Sequence, residues 1–560
     1  MQNNFDFKTE RPWPNRYLKT GSLIGHTTTT TTKIWLRTGY VGNFKLLVFP
    51  ESMYESAGFK QGFRQVPYNV DAFPAPVRQI DFSIDDYQHD TIHVADIDGL
   101  EAFTGYGYAL YIDDGATSRI LLGQDRAFSF RTLPEQDDIF SFAFYSCHMP
   151  YKDSLFGNPS TVNMDMWDFL NAVLARHQSD EFRFVIAGGD QVYSDGVKSL
   201  NVWKYLNKYL QKEGGNVLPD KDAMLSWYRD IYRGYWGFPV VQRAFSSYPT
   251  YMTWDDHEIM DGWGSYYLTG EGDEKDELEK IFPDYQGQGL TYQDARQVLS
   301  EMGDCAKKVY QEYQHSHNPG SDGPDYDYHF QHDSSAFYVL DGRGHRDINR
   351  ASYRILGRPQ FDRFKRWIEA LDPADTEFLF ITSAVPLLHM TPMIVNADET
   401  YAAELAGLQD DLRDSWEHRL HDTERKALLK LLFAAAKRGI RICILSGDVH
   451  TSAAFRMRDS ESGATIYQLT SSAISYNKPR ALAWLLGQVV PDSGDSEDGY
   501  HFERLAIYTD SNFSLVKVDK GKKRVTFQLY GHQKVDNPAT AGEQKPMTHS
   551  IAKLELGFES

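Results

Sequence analysis

Short unbroken apolar runs recur along this chain, and several end abruptly in a cluster of polar residues. Phe142-Ala143-Phe144-Tyr145-Ser146 runs into Cys147 and His148. Phe184-Val185-Ile186-Ala187 passes through Gly188-Gly189 to Asp190 and Tyr193. Tyr251-Met252-Thr253-Trp254 meets Asp255, Asp256, His257 and Glu258. Ile442-Cys443-Ile444-Leu445-Ser446-Gly447 gives way to Asp448 and His450. Strands buried on both faces read as continuous apolar runs. The pattern predicts strands over 140–147, 182–189, 250–254, 336–341, 377–383, 441–446 and 465–470. Between them, apolar positions at helical period predict helices over 164–177, 223–245, 360–371 and 423–438. Strand–helix alternation points to a layered α/β domain.

Residues 20–133 have a different texture. Lys33-Ile34-Trp35-Leu36-Arg37, Asn43 to Phe49, Thr91-Ile92-His93-Val94 and Tyr106 to Ile112 are short and rich in β-branched and aromatic residues. An all-β sandwich accessory domain is expected here. The threonine run Thr27 to Thr32 favours extended backbone. Thr269 to Lys280 and Asn318 to Asp327 read as surface loops, the first acidic, the second rich in Gly, Pro and Asp. Pro491 to Tyr500 reads as an acidic linker before a last β-rich piece containing Phe513 to Val518 and Arg524 to Tyr530.

A length of 560 residues implies more than one domain. A composition 41% apolar and 14% aromatic fits folded, globular material. The net charge of -20 repels polyanions, so nucleic-acid scaffold binding is not expected. No stretch approaches the roughly 18 apolar residues of a membrane span. Cys147, Cys305 and Cys443 form no disulfide framework. With no export signal visible at the N-terminus, the chain reads as cytoplasmic.

The polar clusters suggest metal chemistry, because oxygen, nitrogen and sulfur donors would converge at one sheet edge. Ligands of open α/β sheets bind at that edge. Asp190 follows two glycines that let backbone approach a ligand, and its two oxygens suit it to bridge two cations. Tyr193 becomes a ligand only where a strong Lewis acid lowers its pKa of about 10. Two adjacent aspartates, Asp255 and Asp256, exceed what one helix cap needs. Asp448 and His450, at i and i+2 of extended chain, point the same way. Cys147 is either a buried small residue or a thiolate suited to iron or zinc. Arg343 or Arg346, after the strand ending at Leu340, is either a phosphate clamp or an ordinary ion-pair partner.

In order, the segments Tyr145-Ser146-Cys147, Gly189-Asp190-Gln191-Val192-Tyr193, Trp254-Asp255-Asp256-His257-Glu258, Leu340-Asp341-Gly342-Arg343 and Ser446-Gly447-Asp448-Val449-His450 resemble the PhoD-like alkaline phosphatases. That family belongs to the calcineurin-like metallophosphoesterases. Gly21-Ser22-Leu23-Ile24-Gly25-His26 and Lys33 to Arg37 resemble its β-sandwich domain. The resemblance implies a four-layer α/β/β/α catalytic sandwich behind an N-terminal all-β sandwich. The expected boundaries are 1–135 for a fibronectin- or immunoglobulin-like domain and 136–490 for the catalytic domain. An insert falls at 262–335, and 491–560 is a β-rich extension packing on the catalytic domain.

The resemblance also implies Fe3+ held by Cys147 and Tyr193 with Ca2+ as partner; Zn2+, Mn2+ or Mg2+ are alternatives at the second site. Asp190 would bridge, Asp256 and Asp448 would hold the second metal, and His450 would sit on the iron side. Asp255 would be a ligand or lie just behind the ligands. Many members are exported by the twin-arginine route, and no such signal is visible in this chain. The expected substrate is a small phosphate mono- or diester. Two metals roughly 3.5–4 Å apart would activate a hydroxide for in-line attack, with His257 and Arg343 stabilising charge. Two other readings are open: a mononuclear non-haem iron oxygenase, and a non-catalytic binding protein acting through the β-sandwich.

Overall fold

Strand Ile139–Tyr145 shows why the apolar runs are unbroken. Phe140, Phe142 and Phe144 enter one apolar cluster, while Ala143 and Tyr145 enter another. Side chains along a strand alternate between faces, so a strand covered on both sides reads as mostly apolar, and even Ser141 of this one is buried. Phe378–Ser383 repeats the arrangement, with Phe378 and Phe380 in the shared cluster and Leu379 and Ile381 in a third.

The computed structural model describes residues 13–558 apart from 16, 56–65, 114, 116–117, 154–157, 163, 178–180, 215–216, 269–275, 347–353, 391, 399–408, 477–488, 535–543 and 547–551. The N-terminal residues 1–12 and most of the acidic loop expected over 269–280 lie outside the described residues.

The fold is mixed α/β with several sheets. One sheet runs in the order Thr250–Thr253, Phe182–Gly188, Ile139–Tyr145, Asn512–Asp519, Arg524–Lys534, Gln544–Pro546, with Ala552–Gly557 also on Arg524–Lys534. Its first three strands are parallel. A second sheet runs Tyr328–His332, Ser335–Val339, Phe378–Ser383, Arg441–Ser446, Thr465–Thr470, Ser452–Asp459, Tyr500–Tyr508, Ser493–Asp495. Its parallel centre spans Ser335–Val339 to Thr465–Thr470.

Rings from both sheets meet in the shared cluster, with Phe142 5.4 Å from Phe337 and 5.1 Å from Phe380. Helices Asp165–His177, Lys221–Tyr235 and Tyr292–Tyr313 contribute to the cluster on the first sheet's other face. Gly357–Ala370 and Asp422–Lys437 do so for the second. Residues 21–131 form a three-stranded and a five-stranded sheet that share one apolar cluster.

Several elements differ from the sequence expectation. The C-terminal strands are members of the sheets: Asn512–Asp519 pairs antiparallel with Ile139–Tyr145, and Tyr500–Tyr508 pairs with Ser452–Asp459. The expected linker over 491–500 contains the strand Ser493–Asp495. The helical region 223–245 is two helices, Lys221–Tyr235 and Pro239–Phe245, because proline cannot continue a helix but starts one readily. The threonine run forms two strand ends and a turn closed by Thr28 and Thr31 hydroxyls 2.7 Å apart. Inside the insert, Tyr292–Tyr313 is a long helix with a buried face. No helix among the described residues is long and apolar enough to cross a membrane.

Candidate metal centre

The donors stand where strands end. Cys147 lies two residues past Tyr145, Asp190 two past Gly188, and Asp448 two past Ser446. All three, with His450, adopt positive φ, at 57°, 55°, 61° and 50° respectively. A non-glycine residue held there costs about 1–3 kcal/mol, and such strain gathers at functional sites. Close packing fixes the turns. A Cβ on Gly447 would lie 2.4 Å from Ser146 Cβ, and Gly189 has φ +104° with a Cβ position 3.0 Å from Asp255 Cβ. The Cys147 N–H donates to Gly189 O and the His148 N–H to Asp190 O, at 3.2 and 2.8 Å, tying the first two loops together.

Ligand atoms of Cys147, Asp190 and His450 lie within 4.8 Å of one another, as do those of Asp190, Asp255, Asp256 and Asp448. Asp190 belongs to both groups. Tyr193 OH donates to Asp190 Oδ2 at 3.1 Å and lies 3.0 Å from His450 Nε2. Cys147 Sγ is 3.4 Å from Asp190 Oδ2. The side chains expected as ligands therefore lie together at one place in the fold.

Electrostatics of the pocket call for positive charge. Burial pushes the Asp190 carboxyl well above its ordinary range; His257 pulls it down, and Asp255 and Asp256 add to the rise. Burial does the same to Asp448, reinforced by Asp255, Asp256 and Asp190. Burial and the Asp190 charge lift both Cys147 and Tyr193. Asp255 is raised by burial to about 7 despite Arg343. Asp190 Oδ1 and Asp255 Oδ2 are buried and have no hydrogen-bond partner among the described residues. Buried charges are otherwise paired or bound to metal. Clustered carboxylates with unpaired oxygens beside a thiol, a phenol and an imidazole fit a pair of metal ions.

His257 sits beside this set, grouped with Asp190 and Asp256, its ring 4.1 Å from that of Tyr193. Its Nδ1 is 2.8 Å from Asp195 Oδ1. Burial alone would lower its pKa, but the carboxylates of Asp195, Asp256 and Asp190 outweigh that and hold it well above the ordinary value.

Of the two readings of Arg343, the ion-pair partner is the one its contacts match. It is fully buried and donates to Asp255 Oδ1 at 2.5 Å, Asp414 at 2.8 and 2.5 Å, and Trp263 O at 3.2 Å. The guanidinium is engaged inside the protein, behind Asp255. His148 is also turned inward, on Ser475 and Tyr235 O at 2.8 and 3.2 Å.

The sequence places Glu258 in a polar cluster without giving it a role, and it leaves Asp195, Tyr476, Asp410 and Asp411 unmarked. Glu258 accepts the N–H groups of Gln191 and Asp255 at 2.7 and 2.9 Å, joining two donor loops. Asp195, only two positions past Tyr193, had a local signal. Tyr476 stacks on His450 with centroids 3.8 Å apart, and Asp410 and Asp411 lie beside Asp261 at the rim. No local pattern announces Tyr476, Asp410 or Asp411.

Comparison with known proteins gives the family and the fold of this chain. An uncharacterized protein of Saccharomyces cerevisiae, YGR266W, is 25% identical over 356 residues, covering 51% of this chain and 47% of that protein. The chain thus spans about half the length of that curated relative. A solved structure described as PhoD aligns over 98% of this chain and 93% of its own with a TM-score of 0.59. At 15% identity that is a likeness of fold. A purple acid phosphatase, PPD1 from yellow lupin (Lupinus luteus) seeds, aligns at a TM-score of 0.48 and 13% identity, over 92% of this chain and 72% of its own. The family model described as PhoD-like phosphatase matches residues 142–527, the span that contains every donor described above, and the chain belongs to that family.

Proposed function

We propose that the protein is a metal-dependent phosphoric ester hydrolase acting on small phosphate mono- or diesters. The observation that carries this is Asp190. This buried carboxylate is common to the group with Cys147 and His450 and the group with Asp255, Asp256 and Asp448, and one of its oxygens has no hydrogen-bond partner among the described residues. Cys147, Tyr193 and His450 would hold one ion, proposed as Fe3+, and Asp255, Asp256 and Asp448 the other, proposed as Ca2+. Metal ions bound there supply water activation and neutralise phosphoryl oxygens. Asp190, common to both donor groups, would serve both ions. Arg343 offsets the charge of Asp255 from behind. His257, oriented by Asp195, faces the same pocket and donates a proton to the leaving oxygen.

The domain reading follows. A four-layer α/β/β/α sandwich is supported by the division of the apolar residues into one cluster shared by the large sheets and one on each outer face. An N-terminal β-sandwich is supported by the cluster common to its two sheets.

The test is hydrolysis of an aryl phosphate and a bis-aryl phosphate by wild type and Asp190→Asn. Loss of turnover of roughly 10²–10³-fold or more is expected, the scale of a single electrostatic group at a reacting centre. Retained turnover in the variant, or an inactive metal-loaded wild type, refutes the proposal.

A further inference from the structure

Two buried hydroxyls that the proposed chemistry does not use lie against the sulfur of Cys147. Ser472 is fully buried at the end of strand Thr465–Thr470, and its Oγ is 3.1 Å from Cys147 Sγ. Ser146 Oγ is 3.2 Å from the same sulfur. The two serines are not equivalent. A hydroxyl has one hydrogen to give. That of Ser146 is directed at the Ser471 carbonyl, 3.1 Å away. Ser472 Oγ accepts the His450 N–H at 3.0 Å, which leaves its own hydrogen for the sulfur. A metal-bound thiolate carries no proton, so this contact can then run only from oxygen to sulfur.

Its backbone is anchored independently. The Ser472 N–H donates to Ser452 Oγ at 3.0 Å, and Ser452 donates to Asn512 Oδ1 at 2.8 Å. Asn512 Nδ2 returns a bond to Ser472 O at 2.9 Å. Asn512 begins the strand paired with Ile139–Tyr145, the strand that leads to Cys147. One hydroxyl thus joins the backbone of His450 to the sulfur of Cys147, both in the same donor group.

We infer that Ser472 is a positioning residue: it donates its hydroxyl hydrogen to the Cys147 sulfur and sets how much charge that sulfur gives to a bound metal ion. Hydrogen bonds to ligating sulfur tune a metal in this way. The inference rests on the proposed reading of Cys147 as a ligand.

The experiment uses the full chain loaded with ferric iron, read by visible absorption and reduction potential at measured iron content. Ser472→Thr keeps the hydroxyl, whereas Ser472→Val has the same shape without it. Val is expected to move the sulfur-to-iron charge-transfer band to longer wavelength and lower the potential, because an undonated sulfur gives charge more readily. Thr is expected to stay near wild type. Equal shifts in Val and Thr, or none in either, overturn the role of Ser472. Cys147→Ser separates the two failures. If it leaves the wild-type spectrum unchanged, Cys147 is not a ligand and the inference falls with that reading. If the band depends on Cys147 but not on the Ser472 hydroxyl, only the inference falls.

Discussion

Tyr193 OH lies 3.0 Å from Nε2 of His450, although 257 positions separate them in the chain. The same hydroxyl touches Asp190 Oδ2 at 3.1 Å. A phenol held between an imidazole and a carboxylate loses its proton readily only when a cation replaces it. Tyr193→Phe should therefore bleach or shift the visible phenolate-to-iron absorption of the iron-loaded protein while leaving its far-ultraviolet circular dichroism unchanged. An unaltered spectrum would rule Tyr193 out as a ligand.

Arg343 and Asp255 form a fully buried pair joined through Asp414 to Arg346. Removing one partner of a buried pair leaves an uncompensated charge and costs about 3–5 kcal/mol. Arg343→Ala should lower urea-unfolding stability by that order. Arg343→Lys should recover only part of it, since lysine lacks the planar fork that serves Asp255 and Asp414 together. Full recovery by lysine would show that charge alone matters at this position.

Asp90 gives a pH-dependent prediction away from the metal site. It is fully buried against Arg37, with Nη2–Oδ1 at 2.8 Å, and near Arg233 at 3.6 Å. Burial alone would raise its pKa, but Arg233 and Arg37 outweigh this and lower it to about 2. The folded state therefore favours the charged form. The stabilisation is complete above the ordinary carboxylate value of about 3.9 and disappears as pH falls through the folded value. Asp90→Ala should cost about 3–5 kcal/mol at neutral pH. The gap to wild type should narrow between about pH 4 and pH 2. A gap independent of pH would contradict this assignment.

Metal removal should also be visible as lost stability. A cation binding only the folded chain stabilises by about 2.7 kcal/mol at a free concentration 100 times its Kd. Chelation should lower the unfolding midpoint, and readdition of metal should restore it. In Asp190→Asn the midpoint should respond little to either treatment.

The sequence made the sheets legible for a physical reason. Phe140, Phe142 and Phe144 face one cluster while Ala143 and Tyr145 face another, so strand and run coincide. The donors were legible because each follows such a run. The helix Tyr292–Tyr313 was not recognised, although Ala295, Val298, Leu299, Met302, Cys305, Ala306, Val309, Tyr310 and Tyr313 mark its buried stripe at helical spacing. The acidic stretch Thr269 to Lys280 and the Gly-, Pro- and Asp-rich stretch Asn318 to Asp327 on either side of it read as loops. The fate of Arg343 was invisible for another reason. Its partner Asp414 is 71 positions away and belongs to the helix Gln409–Asp414, so no local pattern records the pairing. The same holds for Asn512–Asp519, which enters the first sheet beside the much earlier strand Ile139–Tyr145.

The central claim is that distant donors jointly hold a pair of cations around Asp190. Elemental analysis of the purified full chain, alongside Asp190→Asn, addresses it directly. About two metal ions per wild-type chain, as a two-metal site requires, with both depleted in the variant, is the predicted result. A metal-free wild type after loading, or identical metal content in the two proteins, would contradict it.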